Sequence, residues 1–320
     1  MSEPLVSVIV AIYNQASYAM ETLESVCSQS YSRQQIIVVD DGSTDDSAEL
    51  VSRHFGSRVQ LITQRNGGPS AAINTALRQA RGDFIAMMGG DDVCEPERIT
   101  QQLEILTNSG HDLVFAKPRL IDSDGAELPD HEVPVLYIDQ APGPEMYRRL
   151  FLYGNFLCGP TAMLRASVVT ELGDFHAGLV GLQDFDYWLR ACGRGMSIGV
   201  TDDRLVRYRR HGGNLSGTRS VSALASETGY VLKRSLEDAL PRVVRTAFPH
   251  VLPPRVDLDA PLSQYEKSLL LLAHPLREVQ AVGLEYAFDL AQTGGARDQG
   301  AGPDLSMFHF LMNVTRRITS

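Results

Sequence analysis

The chain has 320 residues, of which 43% are apolar and 21% are charged, and this is the composition of a soluble globular protein. The formal net charge of −10 argues against nucleic-acid partners, because broad binding to nucleic acid requires a basic surface. No run of about 18 apolar residues is present, so no transmembrane helix is expected. The acidic N-terminus leads directly into a strand and is not typical of a secretory signal. We therefore expect a cytoplasmic protein.

The first ninety residues alternate four times between strand and helix. Apolar runs at residues 6–11, 35–39, 59–62 and 84–88 have the length of buried strands, and helical apolar spacing follows each of the first three. This alternation predicts an α/β fold with a Rossmann-like, mainly parallel and twisted sheet that has helices on both faces. Ser43 with Asp46 three residues later predicts a capping box for the second helix.

The middle of the chain continues the α/β pattern, and the last third contains only helical signals. The predicted elements between these regions are a helix from Glu95, a strand at 112–116, a surface loop at about 121–143, a helix at 146–153, a short strand at 162–164, a helix at 182–192 and one or two strands within 196–209. We place a domain boundary at residue 216. Residues 217–320 then form a helical C-terminal region that packs on the first domain or on a second copy of the chain.

The final predicted helix is apolar from Leu305 and ends in Arg316 and Arg317. This pattern leaves two possibilities open, docking on the rest of the chain or peripheral contact with the inner face of a membrane. The four cysteines, which form no C-x-x-C pair, predict reduced and buried thiols: Cys27, Cys94, Cys158 and Cys192.

Two adjacent carboxylates follow the fourth strand directly, because Asp91 and Asp92 come after Gly89 and Gly90. Ligands of open α/β sheets bind outside the carboxyl ends of the strands. Two acids at such a position suggest a hard divalent cation, Mg²⁺ or Mn²⁺, that bridges to a diphosphate. An acidic turn without a ligand is the alternative, since glycine and aspartate are common turn residues.

Short segments in order along residues 5–216 resemble the family 2 glycosyltransferases, a large inverting group with the GT-A fold. The segments lie at residues 6–14, 37–45, 66–74, 82–85, 91–96, 183–186 and 208–216. The resemblance implies a GT-A fold and a metal-dependent enzyme that transfers a sugar from a nucleotide-sugar, a UDP-sugar in the first instance. The implied acceptor is a hydroxyl group of a bacterial-type surface glycan, a lipid-linked glycan or a protein.

The resemblance places the nucleotide beside Asp41, whose carboxylate would accept a hydrogen bond from the N3–H of uracil. Ala11 and Tyr13 would line the same pocket, and Arg65 would reach the base or the phosphates. For two of these residues, a role without a ligand is also open. Asp41 could cap the following helix, and Arg65 could simply be solvated.

The remaining implied roles concern the metal ion and the proton. Asp91 and Asp92 would hold the cation together with the ribose and the diphosphate, and His211 is a third candidate ligand. Asp184 would be the general base that takes a proton from the acceptor hydroxyl. Its place in the first turn of a helix would favour the ionised form through the helix dipole. An exposed loop histidine and an ordinary helix-terminal acid are the alternatives.

The sequence departs from the family pattern at three positions. Gly89 stands where an acid is frequent, Gln183 stands where Glu is frequent, and Ile73 stands where Arg is frequent. Because one metal contact is missing at Gly89, a non-catalytic protein that binds nucleotide-sugars or glycans remains the alternative function. Residues 154–156 and 159–161 fall where the family builds its acceptor side. A homo-oligomer is possible.

Overall fold

The computed structural model describes residues 3–129, 141, 143–179, 181–215 and 221–293, with the side chains of residues 221, 222 and 291–293 excepted. Its strands form one eight-stranded sheet in the order β3-β2-β1-β4-β7-β6-β8-β5. They are β1 Val6–Ile12, β2 Gln34–Asp40, β3 Gln60–Thr63, β4 Phe84–Gly89, β5 Val93–Cys94, β6 Leu113–Ile121, β7 Met163–Arg165 and β8 Ile198–Arg209.

Eleven α-helices occur within the described residues. They are α1 Ala19–Cys27, α2 Ser47–Phe55, α3 Pro69–Gln79, α4 Arg98–Ser109, α5 Gly143–Tyr153, α6 Ala166–Leu172, α7 Gln183–Gly193, α8 Val221–Asp238, α9 Pro241–Ala247, α10 Gln264–Leu272 and α11 Arg277–Thr293. No helix among the described residues is both long and apolar enough to cross a bilayer. The predicted α/β fold class with C-terminal helices is confirmed.

The sheet is mainly parallel, as the sequence predicted, but it is mixed at one end. Strands β3, β2, β1 and β4 pair in parallel, and β6 pairs in parallel with β8. Strand β7 is antiparallel to both of its neighbours, and β5 is antiparallel to β8. The register sets Ala11 opposite Gly89 and Ile12 opposite Asp40. The carboxyl ends of β1, β2 and β4 therefore meet at one edge of the sheet.

Two apolar layers cover the faces of the sheet. Strand β1 alternates between them, because Val8 and Val10 face a layer that includes α1, α2 and α4, whereas Ile9 faces a layer that includes α3, α5 and α7. The second layer, called here the larger core, also contains buried apolar residues of α8, α9, α10 and α11. Trp188 on α7 is fully buried in the larger core and packs edge-on against Phe115 at 4.8 Å.

The predicted capping box at Ser43 and Asp46 is wrong. Helix α2 begins at Ser47, and Asp46 makes no side-chain cap hydrogen bond. The hydroxyl of Ser43 instead accepts a hydrogen bond from the backbone N–H of Asn14 at 2.9 Å. Ser43 therefore joins the loops after β1 and β2 and does not cap α2.

Some predictions fall on residues that the structure does not describe. They include part of the predicted surface loop, at residues 130–140, and the whole of the predicted final helix. The boundary proposed at residue 216 also lies there, so it stays a prediction. Buried apolar residues of the helices α8 to α11 belong to the larger core, together with residues of the sheet.

Candidate functional site

Asp41, which directly follows β2, holds the loop that follows β3. Both oxygens of this buried carboxylate accept hydrogen bonds, from the amide of Gln64 at 2.7 Å and from the backbone N–H groups of Gly67 and Gly68 at 3.0 and 2.8 Å. These bonds fasten the loop at residues 64–68 to the end of β2. A carboxylate has about four acceptor positions, so these contacts leave one of them unused. Arg65 lies on the same loop and is exposed.

The loop that follows β1 is fastened to the loop that follows β2. Asn14 has a positive φ of 52°, which asparagine tolerates, and its side-chain oxygen accepts a hydrogen bond from Thr44 N at 2.8 Å. The neighbouring Tyr13 is 47% exposed, so its ring is accessible to a ligand. Ala11 lies one strand away from Gly89 at the same edge. The structure therefore groups Ala11, Tyr13 and Asp41 around the ends of β1 and β2.

The acidic pair lies at the end of β4, and its two carboxylates have different environments. Asp92 is fully buried, and its Oδ1 accepts a hydrogen bond from Arg209 N at 2.8 Å, whereas its Oδ2 has no partner. Burial, and then the charge of Asp91, raise the pKa of Asp92 well above its usual range. A buried and unpartnered carboxylate oxygen is costly, and a cation would compensate for it.

His211 reaches Asp91. The imidazole Nε2 donates to Oδ2 of Asp91 at 2.9 Å, because the other ring nitrogen, Nδ1, accepts from Gly213 N at 3.1 Å. The amide of Asn214 lies 3.4 Å from the same Asp91 oxygen. The ring of Tyr18 packs on the imidazole with the centroids 4.7 Å apart. Direct contact thus joins the predicted residues Asp91 and His211.

The structure explains why glycine occupies position 89. A Cβ built on Gly89 would lie 2.5 Å from Asp92 Oδ2 and 2.9 Å from Asp91 Oδ1. The two carboxylates therefore fill the space that a third acid would need. Glycine at position 89 therefore goes together with the placement of the Asp91 and Asp92 carboxylates, which occupy the space next to it.

Arg209 positions the acidic pair, and sequence reasoning did not single it out. Its side chain is 2% exposed, and Nε donates to the carbonyl oxygen of Asp91 at 2.8 Å while its backbone N–H binds Asp92. Its Nη2 reaches Glu21 at 2.5 Å, and its guanidinium lies 5.0 Å from the centroid of Tyr18. The only sequence signal was its place within the segment at residues 208–216, two residues before His211.

A second buried arginine, Arg98, supports the other side of β4. Its guanidinium donates to the carbonyl oxygens of Met87 at 2.8 Å and Ala162 at 3.3 Å, and to the side chain of Gln102 at 2.9 Å. Its positive charge opposes the rise in the pKa of Asp92. Sequence reasoning missed Arg98 as well, because it assigned this position to an ordinary first helical turn.

The general-base candidate Asp184 lies in the first turn of α7, as predicted, and is partly exposed. Its Oδ1 accepts a hydrogen bond from Phe185 N at 2.7 Å, and its Oδ2 accepts one from the amide of Asn155 at 2.9 Å. Burial raises the pKa of Asp184 to about 6. Desolvation therefore outweighs the hydrogen bonds from Phe185 and Asn155, which lower the pKa, and it acts against the ionised form that the helix position was expected to favour. A pKa near 6 leaves most of the carboxyl ionised at pH 7 and suits a general base.

Cys158 shows that the predicted base lies close to the acidic pair. Burial raises the pKa of its thiol well above the usual range, and the charges of Asp92 and Asp184 both contribute to that rise. Both carboxylates must therefore lie within electrostatic range of one buried sulfur atom.

A metal ion fits the acidic pair only with help from a ligand. Within the described ranges, no group of three or more His, Cys, Asp or Glu side chains is arranged to hold an ion. The unpartnered Oδ2 of Asp92 and the carboxylate of Asp91 nevertheless provide two oxygen ligands, with His211 beside them. Mg²⁺ commonly uses one or two carboxylates and takes its other ligands from water and substrate phosphates. The donor set fits a cation that arrives with a diphosphate.

Solved structures with the same fold include two that carry nucleotide-sugars. Residues 1–349 of S. aureus TarS in complex with UDP-GlcNAc match with a TM-score of 0.61 at 18% identity, over 90% of this chain and 92% of that one. The mannosyltransferase PcManGT from Pyrobaculum calidifontis, in complex with GDP-Man and Mn²⁺, matches with a TM-score of 0.52 at 17% identity, over 100% and 81% of the two chains. At these identities the similarity shows the fold.

Relatives in sequence carry glycosyltransferase names. An uncharacterized glycosyltransferase of Rickettsia felis is 28% identical over 226 residues, which are 68% of this chain and only 36% of that protein. One of Methanocaldococcus jannaschii is 27% identical over 220 residues, 65% of this chain and 72% of that protein. The family described as "Glycosyl transferase family 2" matches residues 7–173, which is more than half of the chain. This chain therefore belongs to glycosyltransferase family 2.

Proposed function

We propose that the protein is a metal-dependent, inverting glycosyltransferase that moves a sugar from a nucleotide-sugar to a hydroxyl group of a glycan, glycolipid or protein. The observation that carries this proposal is the contrast between two carboxylates, Asp92 and Asp184, whose charges both act on the buried thiol of Cys158. Asp92 has a buried oxygen without a partner, which suits a cation, and Asp184 has a pKa of about 6, which suits a base. Membership of the family supports the reaction class.

The donor proposed first is a UDP-sugar. Asp41 is a carboxylate at the end of β2 with room for one further hydrogen bond, and an acceptor-only group selects a base edge that donates. The exposed ring of Tyr13 and the side chain of Arg65 lie on loops that adjoin Asp41. The UDP-GlcNAc complex of TarS is consistent with this choice, whereas the GDP-Man complex of PcManGT shows that the fold also accepts guanine.

The cation would be Mn²⁺ or Mg²⁺. Asp92 Oδ2 and the carboxylate of Asp91 would hold it, and His211 would join them if its Nε2 gave up the proton that it now donates to Asp91. The bound cation would neutralise charge that develops on the leaving diphosphate. Arg209 keeps both acids in place through its backbone and its side chain.

Asp184 would take the proton of the acceptor hydroxyl. The acceptor oxygen forms a bond to the anomeric carbon, the bond from that carbon to the diphosphate oxygen breaks, and Asp184 receives the hydroxyl proton. A single displacement of this kind inverts the anomeric configuration. In contrast, a covalent intermediate would require a second displacement and would give retention.

The first test is a donor and acceptor screen of the wild type with and without Mn²⁺, followed by Asp184→Asn. We expect transfer to fall by about 10²- to 10⁴-fold in Asp184→Asn, because the base is lost, while Mn²⁺-dependent UDP binding is unchanged. The exposed Asp124→Asn is the matched control. Proton NMR of the product should show inversion.

The alternative is a non-catalytic protein that binds nucleotide-sugars or glycans. UDP binding by the wild type with neither transfer nor donor hydrolysis, over the whole screen, would favour that alternative and contradict the proposed activity. The filled space beside Gly89 removes the observation that first suggested it, because the acidic pair itself occupies the place of the absent acid.

A further inference from the structure

Asn155 lies on the short segment that follows α5. The chain leaves the helix through Gly154, whose φ of 80° is one that glycine adopts readily, and Gly154 N still donates to Leu150 O at 3.0 Å. The amide of Asn155 then has a fixed orientation, because its Oδ1 accepts from Leu157 N at 3.2 Å. Its Nδ2 is therefore the group that faces Asp184 Oδ2, at 2.9 Å.

The carboxylate of Asp184 is held on its other sides as well. Its Oδ1 accepts from Phe185 N at 2.7 Å. A Cβ on Gly159 would lie 3.3 Å from its Oδ2, so this glycine allows the turn at residues 159–161 to approach closely. Backbone groups thus fix one oxygen and limit the space around the other. Asn155 supplies the only side-chain hydrogen bond to Asp184 among the described residues.

We propose that Asn155 is a positioning residue that orients the Asp184 carboxylate and stabilises its ionised form. The proposal rests on the proposed function, in which Asp184 is the base. It gives Asn155 a role different from the acceptor contact that its place in the sequence suggested. An amide suits this role because its N–H donates a hydrogen bond to the carboxylate, while the amide itself carries no charge and takes up no proton.

The other ionisable groups near Asp184 do not stabilise its ionised carboxylate. Cys158 keeps a neutral thiol, because its pKa is raised, and beyond it lie Asp92 and Arg98. On α7 itself, Asp186 pairs with Arg190 at 2.9 Å, so their charges largely cancel. A hydrogen bond to the ionised form lowers the pKa of an acid, so removal of the Asn155 amide raises the pKa of Asp184 above about 6.

The test compares Asn155→Ala with Asn155→Asp. In Asn155→Ala, we expect the acid limb of kcat/KM to move upward by about one pH unit, which alone lowers the activity at pH 6 by about fivefold. In Asn155→Asp, the new side chain has the same shape but places a second carboxylate opposite Asp184. Because like charges raise the pKa of an acid, the acid limb of kcat/KM should move to a still higher pH than in Asn155→Ala. A merely structural role predicts the opposite order, with Asn155→Asp close to the wild type. The KM for the donor should not change.

A second measurement does not depend on activity. The carboxyl carbon of Asp184 is titrated by ¹³C NMR, with Asp184→Asn for assignment and the exposed Asn108→Ala as the control variant. We expect the midpoint to rise in both Asn155 variants and to stay unchanged in the control. Wild-type midpoints in both folded Asn155 variants would overturn the inference. If the wild type transfers no sugar, the proposed function fails, and the NMR titration still decides whether Asn155 stabilises ionised Asp184.

Discussion

The carboxylate of Asp92 has a buried oxygen without a partner, and Asp91 lies beside it. The raised pKa of Asp92 links this residue to stability. An acid whose pKa is raised on folding costs no stability below its unfolded pKa of about 4. As the pH rises from that value through the folded pKa, the acid lowers the free energy of unfolding. Without a cation, the protein should therefore lose stability above about pH 4 on account of Asp92.

Asp92→Asn removes this charge and keeps the shape of the side chain. In EDTA at pH 8, we expect the variant to unfold at a temperature no lower than that of the wild type. With UDP and Mn²⁺, only the wild type should gain stability, by about 2.7 kcal/mol when the ligands are at a hundred times Kd. A thermal-shift assay measures both effects.

The exposed Asp46→Asn is the control for Asp92→Asn, because Asp46 makes no side-chain cap hydrogen bond. It should show the gain seen in the wild type. An equal Mn²⁺-dependent gain in Asp92→Asn would show that the cation does not bind at Asp92.

Single residues differ in how far the sequence predicts them. Asp91 could be predicted as a site candidate because it follows a buried strand, whereas Asp184 was a candidate only through the family resemblance of residues 183–186, since an acid in a first helical turn is ordinary. Arg98 and Arg209 could not, because arginine is ordinarily exposed and no spacing shows that carbonyl oxygens will converge on a guanidinium. The pKa of Asp184 also depends on burial and on a hydrogen bond from Asn155, which is distant in sequence.

At the scale of elements, the loop at residues 64–68 depends on one side chain. Asp41 accepts hydrogen bonds from Gly67 N and Gly68 N, and Gly68 in turn begins α3, whose first residue is Pro69. Proline suits the first turn of a helix because it lacks an N–H that would need a partner there. The proposed nucleotide pocket and the start of α3 therefore share the same anchor.

Asp41→Ala should release this loop. Hydrogen exchange at the amides of Gly67 and Gly68 should become faster, because both lose their acceptor, and UDP binding should weaken by at least tenfold. Hydrogen-exchange mass spectrometry and calorimetry measure the two effects. Asp46→Ala should change neither. Unchanged exchange of the loop in Asp41→Ala would mean that other contacts hold it.

The elements themselves were largely predictable, because their apolar periods are regular. The errors arose where distant contacts decide the local structure. Ser43 and Asp46 fit the pattern of a capping box, but the loop after β1 binds Ser43 instead. The two-residue strand β5 and the reversed strand β7 are too short for a periodic signal, so their pairing depends on the sheet that surrounds them.

At the scale of the whole molecule, the C-terminal helices contribute to the larger core together with the sheet. A buried ion pair lies among them. Glu266 is fully buried on α10, contacts Arg245 on α9, and forms a capping box with Ser263. Arg255 also reaches Glu266, at 3.2 Å. Removal of one partner of such a pair leaves the other charge buried without compensation.

Glu266→Ala should lower the free energy of unfolding by about 3–5 kcal/mol, because Arg245 remains buried and unpaired. Denaturant unfolding followed by circular dichroism and by fluorescence of Trp188, the single tryptophan, measures this loss. The two midpoints should shift together, since Trp188 and the C-terminal helices belong to one core. A shift in the circular dichroism signal alone would contradict this arrangement. Arg242→Ala, in the exposed pair with Asp259, should have a much smaller effect.

The larger core extends further along the chain than the match to the family does. The match to the family ends at residue 173, yet the larger core joins the apolar side chains of α5 to residues of α7, α8, α9, α10 and α11, all of which lie beyond that point. A polypeptide cut at the edge of the family match would present this uncovered surface to other molecules. Self-association would then compete with folding, so catalytic studies of this protein should keep the chain at least through residue 293.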